Sequence, residues 1–141
     1  MELKTIRQLA DVPRDAWDAL IGHDDPFVEH AFLQALEDSG SVGRGTGWEP
    51  MHLLAYEGET LVGALPLYIK GDSWGEFIFD FQWARAAQSS GIRYYPKLVA
   101  MVPYTPATGR RFLARQDDLA RVVPALLDGV IELAEKLRCS S

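Results

Sequence analysis

The sequence predicts an α+β fold in which a mixed, mostly antiparallel sheet is flanked by helices. Two observations point there. Strand-forming runs cluster mid-chain, with "MHLLAY" and "TLVGALPLYIK" on either side of the turn "EGE". Helical periodicity brackets them, in "AFLQALED" before and "DDLARVVPALLDGVIELAEKLR" after. A third observation sets the scale: 141 residues, 48% hydrophobic and 24% charged, suit one domain with a sizeable core.

The elements follow in order. "LKTIRQL" alternates and reads as a short first strand. "PRDAWDALIG" is a short helix with Pro13 near its start and Gly22 past its end. "DDPFVEH" turns into "AFLQALEDSG", where Phe32, Leu33 and Leu36 share a face and Gly40 fits the left-handed position that ends a helix. "GSVGRGTGWEP" carries four glycines but lacks a Gly-Lys-Ser/Thr ending and leads into a strand, so it reads as a connecting loop rather than a phosphate cradle.

Within the hairpin, Pro66 has no N–H to give a ladder, which places its strand at an edge or a bulge. "GEFIFDF" alternates as a strand would, with Phe77, Phe79 and Phe81 on one face and Glu76, Ile78 and Asp80 on the other. "QWARAAQSSG" is a short helix or helical loop closed by Gly91, and "KLVAMV" is a further strand. The last helix has apolar residues every three or four positions from Leu119 to Leu137. Asp117 and Asp118 suit its N-terminus, Lys136 and Arg138 its C-terminus, and Pro124 removes one backbone bond. A strand followed by such a helix normally crosses to a parallel strand, which the sequence does not supply; the sheet is expected to be incomplete at its C-terminal end.

Charge and composition exclude several functions. "MELKTIRQLADVPRDAW" has acids and no apolar h-region, and no run is long enough to span a bilayer, so a cytoplasmic protein with no membrane span is expected. Cys139 is the sole cysteine, which rules out an internal disulfide or a multi-cysteine metal site. A net charge of -6 argues against DNA binding. The charge is unevenly spread: Phe81 to Gln116 holds Arg85, Arg93, Lys97, Arg110, Arg111 and Arg115 and no acid. That segment points to a small anionic donor or acceptor as partner, or else to a solvated basic face paired with acids elsewhere.

Candidate chemistry is sparse. There is no nucleophile elbow, and His23, His30 and His52 show no metal-ligand spacing, so no metal is expected. His30 reads as a residue packed at a helix start and His52 as a strand residue. Glu76 and Asp80 face one side of the expected strand, roughly 13 Å apart at the usual rise, too far to act as a pair. Either could be a lone base, or pair structurally with an arginine. Tyr94 and Tyr95 would point to opposite faces of a strand, one to a core and one to a cleft. After the strand, "YTPATGRR" offers Thr105, Thr108, Arg110 and Arg111 as donors to phosphate or carboxylate, and Gly109 allows close backbone approach. Asp117 and Asp118 sit where an anion at the helix start would otherwise be.

Three stretches, "DDPFVEHAFLQALEDSGSVGRGTGWEPMHL", "LVGALPLYIKGDSWGEFIFDFQWA" and "YYPKLVAMVPYTPATGRRFL", resemble a bacterial family of predicted N-acyltransferases. These are Fem-type proteins assigned by similarity to peptidoglycan biosynthesis and related to the GNAT fold. The likeness spans most of Asp24 to Leu113, and "LAEKLRCSS" resembles its continuation. It implies a GNAT-like topology whose acyl donor lies between splayed fourth and fifth strands, with residues 1–141 forming the N-terminal part of one such domain. It also implies transfer of an acyl or aminoacyl group to an amine, such as that of a cell-wall precursor, from acyl-CoA or aminoacyl-tRNA. "TPATGRR" does not match the Arg/Gln-x-x-Gly-x-Gly/Ala pyrophosphate loop of the acetyl-CoA enzymes. On this reading Asp80 or Glu76 is the base, backbone N–H groups near Val102 and Tyr104 receive the oxyanion, and Lys97, Arg110 and Arg111 bind phosphates. The rival readings are a non-catalytic module for an anion or partner, and an inactive fragment that folds only by pairing an unpaired strand edge with a neighbour, as a homo-oligomer.

Overall fold

A computed structural model describes residues 1–22 and 25–141, so His23 and Asp24 lie outside the described residues. The strands are β1 (Glu2–Ile6), β2 (Glu49–Pro50), β3 (His52–Glu57), β4 (Thr60–Leu65), β5 (Tyr68–Lys70) and β6 (Lys97–Val99). The helices are α1 (Arg14–Asp18), α2 (His30–Asp38), α3 (Phe81–Ser89) and α4 (Leu119–Lys136). The architecture is α+β, with two three-stranded antiparallel sheets, β1-β3-β4 and β2-β5-β6.

One long hairpin supplies the centre of both sheets. Leu53 pairs with Leu65, and farther along the same arms Pro50 pairs with Tyr68 and Glu49 with Ile69. Pro66 cannot donate to a ladder, and the hairpin divides there: β4 ends at Leu65 and β5 joins the second sheet. The bulge lies elsewhere. Ala55 faces Gly63 and Tyr56 faces Leu61, leaving Val62 as the extra residue.

Both faces of the first sheet are covered, which is why β3 and β4 read as continuous apolar runs rather than alternating ones. Leu54, Leu61 and Ala64 pack with Leu9, Trp17, Val28 and Leu33 from the α1–α2 side. Leu53, Ala55 and Leu65 pack with Val122 and Leu126 of α4. Gly63 permits that second contact, since a Cβ there would overlap Val122 Cγ1. His52 is fully buried between the layers. Its Nδ1 accepts from the Leu67 N–H at 3.2 Å, so its proton sits on Nε2, 3.2 Å from Glu37 Oε1. Burial holds His52 below its ordinary pKa against the pull of Glu37. His30 Nε2 lies 2.8 Å from the Leu9 carbonyl at the start of α2. Both histidines are structural.

Two expectations need correction. "GEFIFDF" is not a strand: Gly75 to Asp80 has no regular structure, Phe77 turns with φ 55°, and Phe81 opens α3. Phe77 and Phe79 are exposed, so they form no core face. The strand in "KLVAMV" is confined to Lys97–Val99. Beside β6, on the side away from β5, the Leu98 N–H donates to the Ser141 carbonyl at 2.8 Å, and the Ser140 N–H to the Pro96 carbonyl at 2.8 Å.

Candidate functional site

The loop between β5 and α3 brings charged side chains into a buried position beside β6. Asp72 starts it with a local turn, its Oδ1 accepting the Trp74 N–H at 2.9 Å. Gly75, at φ 77°, follows; a Cβ there would lie 2.6 Å from the Tyr104 ring and 2.9 Å from Trp48 Nε1, so only glycine fits. The turn at Phe77 then folds the chain back so that Glu76 and Asp80 converge.

They meet on Lys97, the first residue of β6. Its Nζ donates to Asp80 Oδ2 at 2.6 Å, Glu76 Oε2 at 2.9 Å and Ser73 Oγ at 3.2 Å, which uses all three N–H bonds. Tyr94 donates its hydroxyl to the same Asp80 oxygen at 2.8 Å, and Tyr95 pairs with Ser73 at 2.6 Å. Lys97 and Glu76 are buried, at 6% and 3% exposure. Two carboxylates thus surround one ammonium. Glu76 Oε1 and Asp80 Oδ1 are buried without a hydrogen-bond partner among the described residues.

The electrostatics follow from this packing. Burial pushes Asp80 up, but its hydrogen bonds, that from Lys97 foremost, outweigh it and hold the carboxyl below the usual range. Burial pushes Lys97 down, and its bonds to Asp80 and Glu76 raise it further than burial lowers it. Burial and the bond to Asp80 push the Tyr94 phenol up, leaving it a neutral donor. A second lysine lies nearby with a different balance. Lys70 is fully buried, with Nζ 3.9 Å above the Trp48 ring and 2.8 Å from the Trp74 carbonyl, and burial lowers its pKa.

A groove of about 670 Å³ adjoins the cluster, lined among others by Ser73, Trp74, Phe81, Ile92, Tyr94 and Tyr95. Ser73, Tyr94 and Tyr95 belong to both, so the groove wall is also the cluster's hydrogen-bonding shell. A separate cavity of about 740 Å³, lined by Arg7, Glu37 and Arg44 among others, shares no residue with it.

Of the residues chosen from sequence, Glu76, Asp80, Tyr94, Tyr95 and Lys97 are brought together. The expected 13 Å separation of Glu76 and Asp80 fails because the strand that implied it does not form, and their partner is a lysine, not an arginine. Tyr94 and Tyr95 precede β6, so strand alternation does not govern them, and their rings pack together at 5.0 Å beside Lys97. Lys97 has no free donor for a phosphate. Tyr104 stands next to the cluster through Gly75, but its N–H donates to the Gly75 carbonyl at 3.2 Å and is not available to an oxyanion. Val102 is buried in the core.

The remaining candidates form a separate loop. Thr105 bonds the Pro103 carbonyl, the Arg110 N–H donates to Asp25 Oδ2 at 3.0 Å, and Arg111 Nη2 donates to the Ala107 carbonyl at 2.8 Å. Gly109 makes room for the Asp25 carboxylate, and Thr108 is exposed. Sequence reasoning missed Ser73, Lys70 and the groove face of α3. The turn-forming "GDSWGE" was the available signal, since Asp72, Ser73 and the two glycines mark a loop with polar donors.

A family model described as FemAB-like, peptidoglycan biosynthesis/recognition, matches residues 8–141. The chain belongs to this family. Membership places it in peptidoglycan biosynthesis or recognition, and all five clustered residues fall inside the matched region. No curated protein and no solved structure matches the chain. Among the described residues no helix is long and apolar enough to cross a membrane, and no group of acids, histidines and cysteine is placed to hold a metal.

Proposed function

We propose that the protein serves N-acyl or aminoacyl transfer onto an amine of a peptidoglycan precursor, and that the groove beside Lys97 takes the amine-bearing acceptor. The observation that carries this reading is the pair of unpartnered carboxylate oxygens, Glu76 Oε1 and Asp80 Oδ1, next to an ammonium already held. Two carboxylates to one lysine leave negative charge in excess, and the free oxygens suit the N–H bonds of a second ammonium; they lie buried behind the groove wall of Ser73, Tyr94 and Tyr95, so the acceptor amine reaches them by displacing that wall. The Tyr94 and Tyr95 rings add faces on which a cation can rest.

In such a transfer the acceptor ammonium first loses a proton. Its nitrogen then bonds the donor's carbonyl carbon, the bond from that carbon to the leaving group breaks, and a second proton moves from nitrogen to the leaving group. Asp80, held ionised, is a weak base and a steady counter-charge, so its part is to orient the amine while water takes the first proton. The same weak basicity favours a second reading, recognition of the amine without turnover. The donor side, acyl-CoA or aminoacyl-tRNA, has no cluster of its own in this reading.

The test is calorimetric titration with a muramyl peptide bearing a free lysine side-chain amine, and with the same peptide N-acetylated there. The free amine should bind at least about tenfold more tightly, the scale of one charge-assisted contact. Equal affinity for the two peptides would overturn the acceptor assignment. Mass spectrometry after adding acetyl-CoA or aminoacyl-tRNA then separates transfer from recognition.

A further inference from the structure

Between Trp74 and Ile92 the chain exposes more large apolar surface than anywhere else among the described residues. Phe79 is 85% exposed, Trp83 73% and Trp74 72%, with Phe77, Ile78 and Ile92 also more than half exposed. Phe77, Ile78 and Phe79 are consecutive on a loop with no strand edge to offer, and α3 behind them buries no residue in the core. Scattered apolar residues need no explanation, but a contiguous run of this kind marks an interaction surface.

The charges around it indicate the partner. Arg85 and Arg93 line the groove, Arg93 with one Nη2 donor spent on the Arg138 carbonyl at 2.6 Å, and no acid occurs from Phe81 to Gln116. Glu76 and Asp80 are engaged with Lys97; Asp72, half exposed on the same groove, bonds the Trp74 N–H and lies 3.5 Å from Lys70. An exposed, tryptophan-bearing apolar run with guanidinium groups beside it has the chemistry of a segment that enters the interfacial layer of an anionic bilayer. We propose that the Trp74–Ile92 segment docks this protein peripherally on an anionic lipid surface, with Phe77, Ile78, Phe79 and Trp83 inserted and Arg85 and Arg93 at the headgroups. The inserted residues Phe77, Ile78, Phe79 and Trp83 lie outside the groove lining, whereas Arg85 and Arg93 belong to it, so docking would set the groove mouth against the lipid surface.

The test uses the full chain and extruded vesicles, one set of phosphatidylcholine alone and one with phosphatidylglycerol added. Co-sedimentation with the anionic vesicles is expected, weakened by salt, together with a blue shift of emission from Trp74 and Trp83. The double variant Phe79→Ser with Trp83→Ser should lower the partition coefficient about tenfold or more, because two large apolar side chains no longer insert. Arg85→Gln should weaken binding to the anionic vesicles and leave the weaker binding to neutral ones unchanged. All replaced side chains are solvent-facing, so unchanged circular dichroism and thermal midpoints separate lost docking from lost fold. Absence of vesicle binding, or binding that the double variant retains, overturns the proposal. So does a concentration-dependent dimer in sedimentation velocity that Phe79→Ser abolishes, which would assign the surface to a second copy.

Discussion

Lys97 is an ammonium at 6% exposure, a position that costs several kcal/mol unless the charge is matched. Asp80 and Glu76 match it, and removing it would strand both. Lys97→Met, which keeps the length of the side chain, should destabilise the fold by about 3–5 kcal/mol, read as a lower urea midpoint at neutral pH. The pH dependence has a definite sign. Asp80's folded pKa lies below its unfolded value of about 3.9, so its contribution is complete above that pH and fades as pH falls through the folded value. Lys97's folded pKa lies above its unfolded value of about 10.4, so its contribution holds below that pH and fades as pH rises through the folded value. In Lys97→Met the carboxyls lose the donor that held Asp80 down, and the acid limb of the stability profile should move toward neutral pH. Superimposable urea midpoints for the two proteins from pH 4 to neutrality, about the carboxylate range and above, would refute this. Charge and aromaticity singled out Glu76, Asp80, Tyr94, Tyr95 and Lys97 in the sequence. Their meeting was not legible, because "GEFIFDF" has a strand's alternation and the left-handed turn at Phe77 that breaks it is made by a residue that rarely takes that shape.

Among the elements, those with strong local signals were legible: the hairpin about "EGE", α2 with its Gly40 stop at φ 71°, and α4. What local signals do not carry is which neighbour a strand finds. The hairpin's division between two sheets depends on Pro66 and on β6 arriving beside β5, a contact across some thirty residues of chain. The packing of α4 on the first sheet depends on glycines that sequence reading passed over. Gly63 sits in a strand interior, where glycine normally weakens the ladder, yet a Cβ would overlap Val122, whose branched side chain has little freedom to move. Gly63→Ala should therefore cost about 1–3 kcal/mol, seen as a fall in Tm, and Val122→Ala in the same chain should recover part of it. Gly129→Ala should be milder. Its Cβ would meet the side-chain ends of Leu3 at 2.5 Å and of buried Leu53 at 3.0 Å, and alanine in a helix interior returns about 1 kcal/mol of propensity against that crowding. A Gly63→Ala protein as stable as the parent would show that the α4 contact is looser than the packing described above.

Across the whole molecule, stability is unevenly placed, and the unevenness coincides with the candidate site. The sheet β1-β3-β4 is covered on both faces by α1, α2 and α4, and its central residues are nearly inaccessible. The groove side is built differently: α3 buries nothing in the core, the loop before it has no ladder, and both are held by the Lys97 cluster, the Trp74–Phe81 contact at 5.3 Å and hydrogen bonds to the Trp74 and Gly75 carbonyls. Regions with few buried apolar contacts open at much lower free energy than the core does. Native-state hydrogen exchange should accordingly show residues 77–92 exchanging orders of magnitude faster than residues 52–65. Lys97→Met should speed the former further while leaving the latter limited by global unfolding. A ligand seated in the groove, or a lipid surface beneath α3, would bind a segment that is partly open beforehand, and should slow exchange there selectively. Equal protection of the two segments in the free protein would mean that the groove wall is part of the core's cooperative unit, and would remove the basis for expecting ligand-dependent ordering.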